Sequence, residues 1–245
     1  MTDVDREGLR GPVLPGGGAS DYERYLRTDE LLSLQKTAQE RNHHDELLFT
    51  VVHQTSELWL KLAATEVDEA AQRLEHAEVA PALRLLRRAT TALGYVTDQL
   101  GMLGQMSPWD YHEVRVMLGH GSGFDSPGFR RVAAVTQRIA KAFDGLLARR
   151  GLELTEVYRA SDEHADLYAL AELLTDWDEG LSIWRSRHYL AVARALGEDT
   201  IGIQGVPVHV LTKLVTQRQL PRLWEARSRL VEIFDAERAA AQRST

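Results

Sequence analysis

Apolar side chains recur every three or four residues along most of the chain, which is the periodicity of helices that bury one face. The pattern predicts long helices over residues 42–74, 79–103, 129–150, 162–195 and 221–240, and a shorter helix over residues 208–217. No stretch of useful length alternates between apolar and polar positions, as a half-buried strand would. The sequence therefore predicts an all-α fold built as a helical bundle.

Residues with capping side chains indicate where several helices begin. Asn42 is predicted to cap the first long helix, and Thr28 or Asp29 is predicted to cap a short helix before it. Ser107 is predicted to cap a further helix, because Pro108 follows it at the first helical position.

The segment after Ser107 combines polar side chains with a glycine-rich passage. Tyr111 and Arg115 are four residues apart and therefore share one helix face. Residues 119–128 then contain four glycines. Such a passage is typical either of a loop whose backbone approaches a ligand or of a simple connection between helices.

Two of the predicted helices each carry one histidine on an apolar face. In FTVVHQTSELWLKL, Phe49, His53 and Glu57 are spaced by four and lie in one row. In the helix over residues 162–195, an apolar stripe that steps by three and four contains Trp184 and His188. Burying an imidazole requires a partner for its polar atoms, so both histidines are candidates for a functional site.

Composition and charge narrow the possible partners and location. Of the 245 residues, 44% are hydrophobic and 27% are charged, as in an ordinary globular protein. We expect residues 1–20, which include GPVLPGGG, to form a flexible arm and residues 21–245 to form one domain. The net charge of −7 argues against nucleic acid as a partner, and no apolar run has the length of a membrane span. A cytoplasmic protein is expected.

Several kinds of site can be compared from these residues. Neighbouring residues on a helix point about 100° apart, so the side chains of His-His-Asp-Glu at 43–46 cannot all converge on one metal ion. A di-iron bundle needs two Glu-x-x-His motifs, and only Glu40 to His43 fits. Phosphate-binding, dinucleotide-binding and nucleophile-elbow motifs are absent. The two histidines permit a non-covalent haem site, but from the residues alone two core histidines with satisfied hydrogen bonds are the commoner arrangement.

Four segments resemble, in the same order, the signature segments of the tryptophan 2,3-dioxygenase family. They are YERYLRTDELLSLQ, HHDELLFTVVHQTSELWLKL, SPWDYHEVRVMLGHGSGFDS and LYALAELLTDWDEGLSIWRSRH. The most specific parts are HQTSELWLKL and the W-R-x-R-H element. The resemblance implies an all-helical homotetramer, assembled as a dimer of dimers, with one non-covalent haem b between the long helices of each subunit.

The resemblance also implies roles for individual residues. His188 matches the proximal ligand of the haem iron, and His53 matches the distal histidine that binds the indole N–H. Arg115 matches the arginine that binds the substrate carboxylate, a bidentate role that suits a guanidinium. The remaining matches are Tyr111 beside that arginine, Ser122 near the haem and the distal pocket, Trp184 on the haem side, Phe49 and Leu118 on the wall of the indole pocket, and Tyr22, Tyr25 and Leu26 in an arm that covers the active site of a neighbouring subunit.

The chain departs from the family pattern in two places. A long helical insertion between the segments that match Arg131 and Glu156 is mostly missing. The glycine- and threonine-rich loop after the proximal helix reads IGIQGVP here, and Gly202 aligns with the threonine that contacts the amino acid. Recognition of the carboxylate is therefore expected to be kept, while the rest of amino-acid recognition is expected to differ.

The implied activity is insertion of oxygen from dioxygen at the indole C2–C3 bond of L-tryptophan or a modified tryptophan, giving an N-formylkynurenine-type product. In this reaction His53 would orient the indole rather than act as an obligatory base. An alternative is a monooxygenase of the same superfamily that forms a 2-oxindole from tryptophan or a methylated tryptophan. A third hypothesis is a haem sensor without turnover, against which the carboxylate-binding Arg115 argues.

Overall fold

The computed structural model describes residues 11–202, 205 and 207–243, and most of them are helical. The helices are α1 (Asp21–Leu26), α2 (Thr28–Ser33), α3 (Glu46–Glu75), α4 (Val79–Asp98), α5 (Leu100–Leu103), α6 (Pro108–Val116), α7 (Pro127–Arg150), α8 (Leu154–Arg159), α9 (Ala165–Leu196), α10 (Leu211–Val215) and α11 (Pro221–Arg243), with 3₁₀ turns at Gly123–Asp125 and Val208–Val210. Extended structure in these residues is limited to one bridge between Ile201 and Pro207, which confirms the all-α class. Among the described helices, none combines the length and the apolar character needed to cross a membrane.

The four long helices α3, α4, α7 and α9 form the core. Helix α3 packs between α4 and α7, and α4 also packs on α9. Helix α9 contacts α7 through aromatic side chains: the Trp177 indole N–H donates to Thr136 Oγ1 at 3.0 Å, and the ring centroids of Trp184 and Phe129 lie 3.9 Å apart. Trp177 is fully buried, and burial of a side chain of this size contributes on the order of 3 kcal/mol when its N–H is paired.

The apolar stripe predicted for α9 is confirmed over its first half. Its members Leu167, Leu170, Leu174, Trp177 and Leu181 are buried in the core. Beyond Leu181 the stripe is only partly covered, at Trp184 and His188. The second histidine therefore lies where the packed core ends, and its helix is fixed by the buried half.

The predicted start of the first long helix is wrong by several residues. Helix α3 begins at Glu46, and Asn42 does not cap it. The backbone N–H of Asn42 donates to the Glu46 carboxylate at 3.2 Å, and its side-chain amide lies 3.0 Å from the sulfur of Met117. Glu46 is buried and also pairs with Lys36, so this segment is held in a non-helical turn by its own polar groups.

The helix predicted over residues 79–103 is interrupted once. Helices α4 and α5 are separated by Gln99, whose side chain bonds to two hydroxyl groups of α3. Gln99 Oε1 accepts from Thr55 Oγ1 at 2.6 Å, and Gln99 Nε2 donates to Ser56 Oγ at 2.7 Å. The predicted cap at Ser107 is confirmed, because Ser107 Oγ accepts from the N–H of Asp110.

Other helix boundaries also differ from the expectation. Thr28 is the first residue of α2, and the cap position is taken by Arg27, which has a left-handed backbone with φ of 54°. The helix predicted over residues 208–217 is a 3₁₀ turn followed by α10. Helix α8 follows the αL turn at Gly151, and the periodicity did not predict it.

One buried carboxylate joins α9 to the C-terminal part of the chain. Asp178 is fully buried and accepts hydrogen bonds from the N–H groups of Gln219 and Leu220 and from the indole N–H of Trp224, at 2.8, 3.4 and 2.7 Å. A buried carboxylate is tolerated when its oxygens are paired in this way. The connection between α10 and α11 is thereby fixed on the helix that carries His188.

Candidate functional site

His53 lies on the side of α3 that also carries Phe49, as the four-residue spacing predicts. The two rings are stacked, with centroids 4.0 Å apart. His53 Nδ1 lies 2.7 Å from the carbonyl oxygen of Phe49, and a carbonyl can only accept, so Nδ1 carries the proton. The Nε2 atom of a neutral His53 is consequently a hydrogen-bond acceptor.

The environment of His53 favours this neutral form. The ring keeps access to solvent, but surrounding protein removes much of its hydration, and this lowers the pKa of His53 below its ordinary value. The hydrogen bond to Phe49 and the charge of Glu57 act in the opposite direction and are weaker. A shallow apolar cavity of about 300 Å³ borders the histidine, lined by Leu31, Leu34, His53, Gln54, Glu57 and Leu58.

His188 lies between aromatic packing on one side and a glycine on the other. Its ring stacks on Trp184 with centroids 4.9 Å apart and planes 12° apart, and Trp184 in turn packs on Phe129. A Cβ atom built on Gly123 would lie 3.8 Å from His188 Nε2, so this nitrogen faces the glycine. Burial, together with the nearby His53, lowers the pKa of His188 to about 4.

Tyr111 and Arg115 lie on one face of α6 beside the first histidine. The rings of Tyr111 and Phe49 have centroids 6.3 Å apart. Burial raises the pKa of Tyr111, while the nearby Arg115 guanidinium acts weakly against this. Arg115 Nη2 donates to the carbonyl oxygen of Ile201 at 3.2 Å, which connects α6 to the segment after α9.

The segment of residues 119–126, here called the glycine loop, connects α6 to α7. Ser122 begins its 3₁₀ turn with a capping box: Ser122 Oγ accepts from the N–H of Phe124, and the N–H of Ser122 donates to Asp125 Oδ2 at 2.9 Å. The next residue, Gly123, is the one that faces His188. Leu118 precedes the loop and is partly buried, and its carbonyl accepts from the N–H of Gly121.

The arm residues are not brought to this site within one chain. Helix α1 has a complete capping box between Ser20 and Glu23, yet none of its six residues is buried in the described chain. Tyr22, Tyr25 and Leu26 are all exposed. Residues 1–10 of the predicted arm lie outside the described residues.

Three features around His188 fit a haem group. Among the described residues, neither ring nitrogen of His188 has a hydrogen-bond partner, so Nε2 can act as a metal ligand in the neutral form. Trp184 Nε1 is a buried donor without an acceptor in the same set of residues, and such a group calls for a polar atom of a ligand or water. Gly123 leaves open the space beside Nε2 that a side chain would fill.

Acid is expected to destabilise the protein without haem because of His188. Its pKa is about 4 when folded and about 6.5 when unfolded, so the unfolded state binds the extra proton between these values and stability falls as the pH falls. At pH 4.5 this proton binding lowers the free energy of unfolding by about 2 kcal/mol. Urea unfolding at pH 7 and pH 4.5 measures this change in the free energy of unfolding. His188→Gln is the reference protein, because titration of the carboxylates then affects the stability of both proteins equally. Equal pH dependence in the two proteins would contradict the expectation.

Comparison with known proteins shows that most of the sequence is similar to one protein family. The sequence model of the family described as Tryptophan 2,3-dioxygenase matches residues 11–141, just over half of the chain, and these include His53 and Arg115. The tryptophan 2,3-dioxygenase of Caulobacter vibrioides is 34% identical over 261 aligned positions, which cover 85% of this chain and 98% of that protein. Those of Myxococcus xanthus and Shewanella woodyi are each 30% identical, covering 90% and 85% of this chain and 93% and 90% of their own lengths.

Proposed function

Because the chain belongs to the tryptophan 2,3-dioxygenase family, we propose that it is an oxygenase that inserts oxygen at the indole C2–C3 bond of tryptophan or a modified tryptophan. The members of this family are haem-dependent oxidoreductases that use dioxygen. The observation that carries the proposal is the surface around His188, where Nε2 faces Gly123 and the neighbouring Trp184 N–H has no acceptor among the described residues.

The cofactor that suits these residues is haem b. His188 Nε2 is the candidate iron ligand, with Trp184 and Ser122 on the surrounding surface. When bound, the haem supplies a ferrous iron that activates dioxygen for transfer to the indole. The sequence contains no cysteine, so a thioether attachment of the haem is not available and binding is non-covalent.

His53 is proposed to orient the indole. Its Nδ1 proton is donated to the Phe49 carbonyl, so Nε2 is the atom that can accept a hydrogen bond from the indole N–H. The lowered pKa keeps this acceptor unprotonated at neutral pH. Phe49, stacked on the imidazole, supplies an apolar ring to the same pocket, and Leu118 is assigned to its wall.

Arg115 is proposed to bind the carboxylate of the amino acid. One nitrogen of its guanidinium is bonded to the Ile201 carbonyl, which fixes the side chain and leaves other donors for a ligand. Tyr111, whose raised pKa keeps its hydroxyl protonated, can donate beside it. Gly202 follows Ile201 and has no hydroxyl for the ammonium group, so the site is proposed to accept substituents near the α-carbon that a threonine would exclude.

The mass of the product tests the reaction. The ferrous protein is incubated with L-tryptophan and with ring- or β-methylated tryptophans under ¹⁸O-labelled dioxygen. Gain of two labelled oxygens supports ring opening to an N-formylkynurenine. Gain of one supports the 2-oxindole alternative, in which an external donor supplies two electrons and two protons to reduce the second oxygen to water. No gain from any of these substrates would overturn the proposal.

Gly123→Ala is expected to weaken haem binding without unfolding the chain. Within the described part of the chain, the added Cβ would contact only His188 Nε2, at an ordinary van der Waals distance of 3.8 Å, and so is tolerated without haem. It would occupy space next to the proposed iron ligand, and we expect roughly a tenfold loss of haem affinity, within the range for changes around a metal ligand. Soret titration measures the affinity, and thermal unfolding without haem is the control. Unchanged affinity would remove Gly123 from the site.

The exposed arm supports the proposal that the chain assembles as a homotetramer. Helix α1 has a complete N-terminal capping box, and it presents two tyrosines and a leucine to solvent. An apolar face of this kind is expected to be covered by a partner. We propose that Tyr22, Tyr25 and Leu26 cover the active site of a neighbouring subunit. Native mass spectrometry is expected to give four chains and four haems, and a monomer with full activity would contradict this.

A further inference from the structure

Glu57 connects α3 to the beginning of α7. Its Oε1 accepts a hydrogen bond from Ser126 Oγ at 2.5 Å, and its Oε2 accepts one from the backbone N–H of Gly128 at 2.9 Å. The two helices approach so closely here that a Cβ on Gly128 would lie 2.6 Å from Glu57 Oε2 and 2.8 Å from the Cβ of Leu60. Both oxygens of one carboxylate are therefore used to fix the first turn of α7.

Ser126 is the last residue of the glycine loop and the N-cap of α7. Its hydroxyl oxygen accepts from the N–H of Phe129 at 3.1 Å while its proton is donated to Glu57. The Asp125 carbonyl is bonded by Arg130 Nη1 at 2.6 Å. The loop consequently has a fixed C-terminal end, three residues from the glycine that faces His188.

The first turn of α7 also leads to the other side of His188. Phe129 follows Gly128 directly and packs on Trp184, and Trp184 stacks on the imidazole. Phe129 of this turn thus contributes to the packing behind His188, and Gly123 of the glycine loop, which ends at the N-cap of α7, contributes to the surface in front of His188 Nε2. A shift of this turn would change both.

We propose that Glu57 is the positioning residue for the haem site: by binding Ser126 and Gly128 it fixes the glycine loop and Phe129 on the two sides of His188. The inference rests on the proposed function for the identity of the ligand. Glu57 acts through these neighbours and is not assigned any contact with substrate or haem. His53 lies four residues before Glu57 on the same face of α3. This face would therefore both bind the indole and fix the glycine loop.

Hydrogen exchange in the chain without haem tests the contact itself. Glu57→Gln keeps the size of the side chain but replaces one acceptor oxygen with a donor, so it cannot accept from both Ser126 and Gly128. The backbone amides of residues 122–126 and 128–130 are expected to exchange about 10- to 100-fold faster, because loss of a hydrogen bond to a charged group shifts a local opening equilibrium by about this factor. Glu69→Gln is the matched control, because Glu69 lies on the same helix and pairs with Arg73 at the surface.

Haem affinity and the Soret maximum of the full chain test the positioning role. Glu57→Gln and Ser126→Ala are each expected to lower haem affinity about tenfold, whereas Ser126→Thr, which keeps the hydroxyl, and Glu69→Gln are expected to match the wild type. Unchanged exchange in Glu57→Gln would overturn the proposal. Faster exchange with unchanged affinity and Soret maximum would also overturn it, leaving a helix cap only. A wild type that binds no haem would instead refute the proposed function, and the exchange data would show the difference.

Discussion

His188→Ala is expected to eliminate the Soret absorption of protein purified with haem supplied, together with all oxygen-inserting activity. The imidazole is the candidate iron ligand, and its pKa of about 4 makes it neutral and available to a metal at every physiological pH. Changes in the partners of a metal ligand lower metal affinity roughly 10- to 100-fold, so loss of the ligand itself is expected to lower haem affinity by at least about 100-fold.

The matched control is His76→Ala. His76 ends α3 at the surface, and its Nδ1 bonds the carbonyl four residues earlier, as His53 does. Haem content of this variant is expected to equal that of the wild type, and added imidazole is expected to restore part of the Soret band of His188→Ala. A full Soret band in His188→Ala with loss of the band in His53→Ala would reverse the roles of the two histidines.

Arg115→Ala is expected to lower kcat/KM for tryptophan by roughly 100-fold, since loss of a bidentate, charge-assisted pair costs about 3 kcal/mol. The same change should have little effect on tryptamine, which has the indole but no carboxylate. The two substrates and two proteins form a cycle that isolates the contact between Arg115 and the carboxylate. The kcat/KM of Arg115→Lys for tryptophan should lie between those of the wild type and Arg115→Ala, because an ammonium keeps the charge and loses the planar pair of donors.

Arg84→Ala is the control for a simple loss of positive charge, because Arg84 is exposed on α4. It is expected to leave both substrates unaffected. If Arg115→Ala retained the wild-type preference for tryptophan over tryptamine, the carboxylate would have to be bound elsewhere. Gly202, which follows the Ile201 carbonyl bonded by Arg115, would then be the next residue to test.

Local sequence signals, such as apolar spacing and capping residues, predicted the long helices. The stepping of leucines by three and four predicted α9, and the Ser-Pro pair at 107–108 predicted the start of α6. Asn42 failed as a cap because Glu46 and Met117 compete for its polar groups. Gln99 interrupts the helix because its side chain bonds to α3. The apolar periodicity of one helix carries no information about a partner 44 residues away in the chain.

The candidate site was predictable to a similar extent. Residue type and spacing brought Phe49 next to His53, and the row continued to Glu57. The function of the Glu57 carboxylate was not visible, because its partners lie about 70 residues further along the chain. The Ile201 carbonyl that bonds Arg115 carries no side-chain signal at all. Sequence patterns do not predict hydrogen bonds to backbone atoms that lie far away in the chain.

The buried Asp178 has a consequence for the order of events during synthesis. Its three donors come from residues 219–224, which leave the ribosome more than forty residues after the carboxylate does. Until they arrive, α9 carries a charge in its packed half without partners, and burial of that half is opposed. Capture of haem by the nascent chain is therefore expected to wait for α11, so that a chain truncated before Trp224 leaves the ribosome without the cofactor.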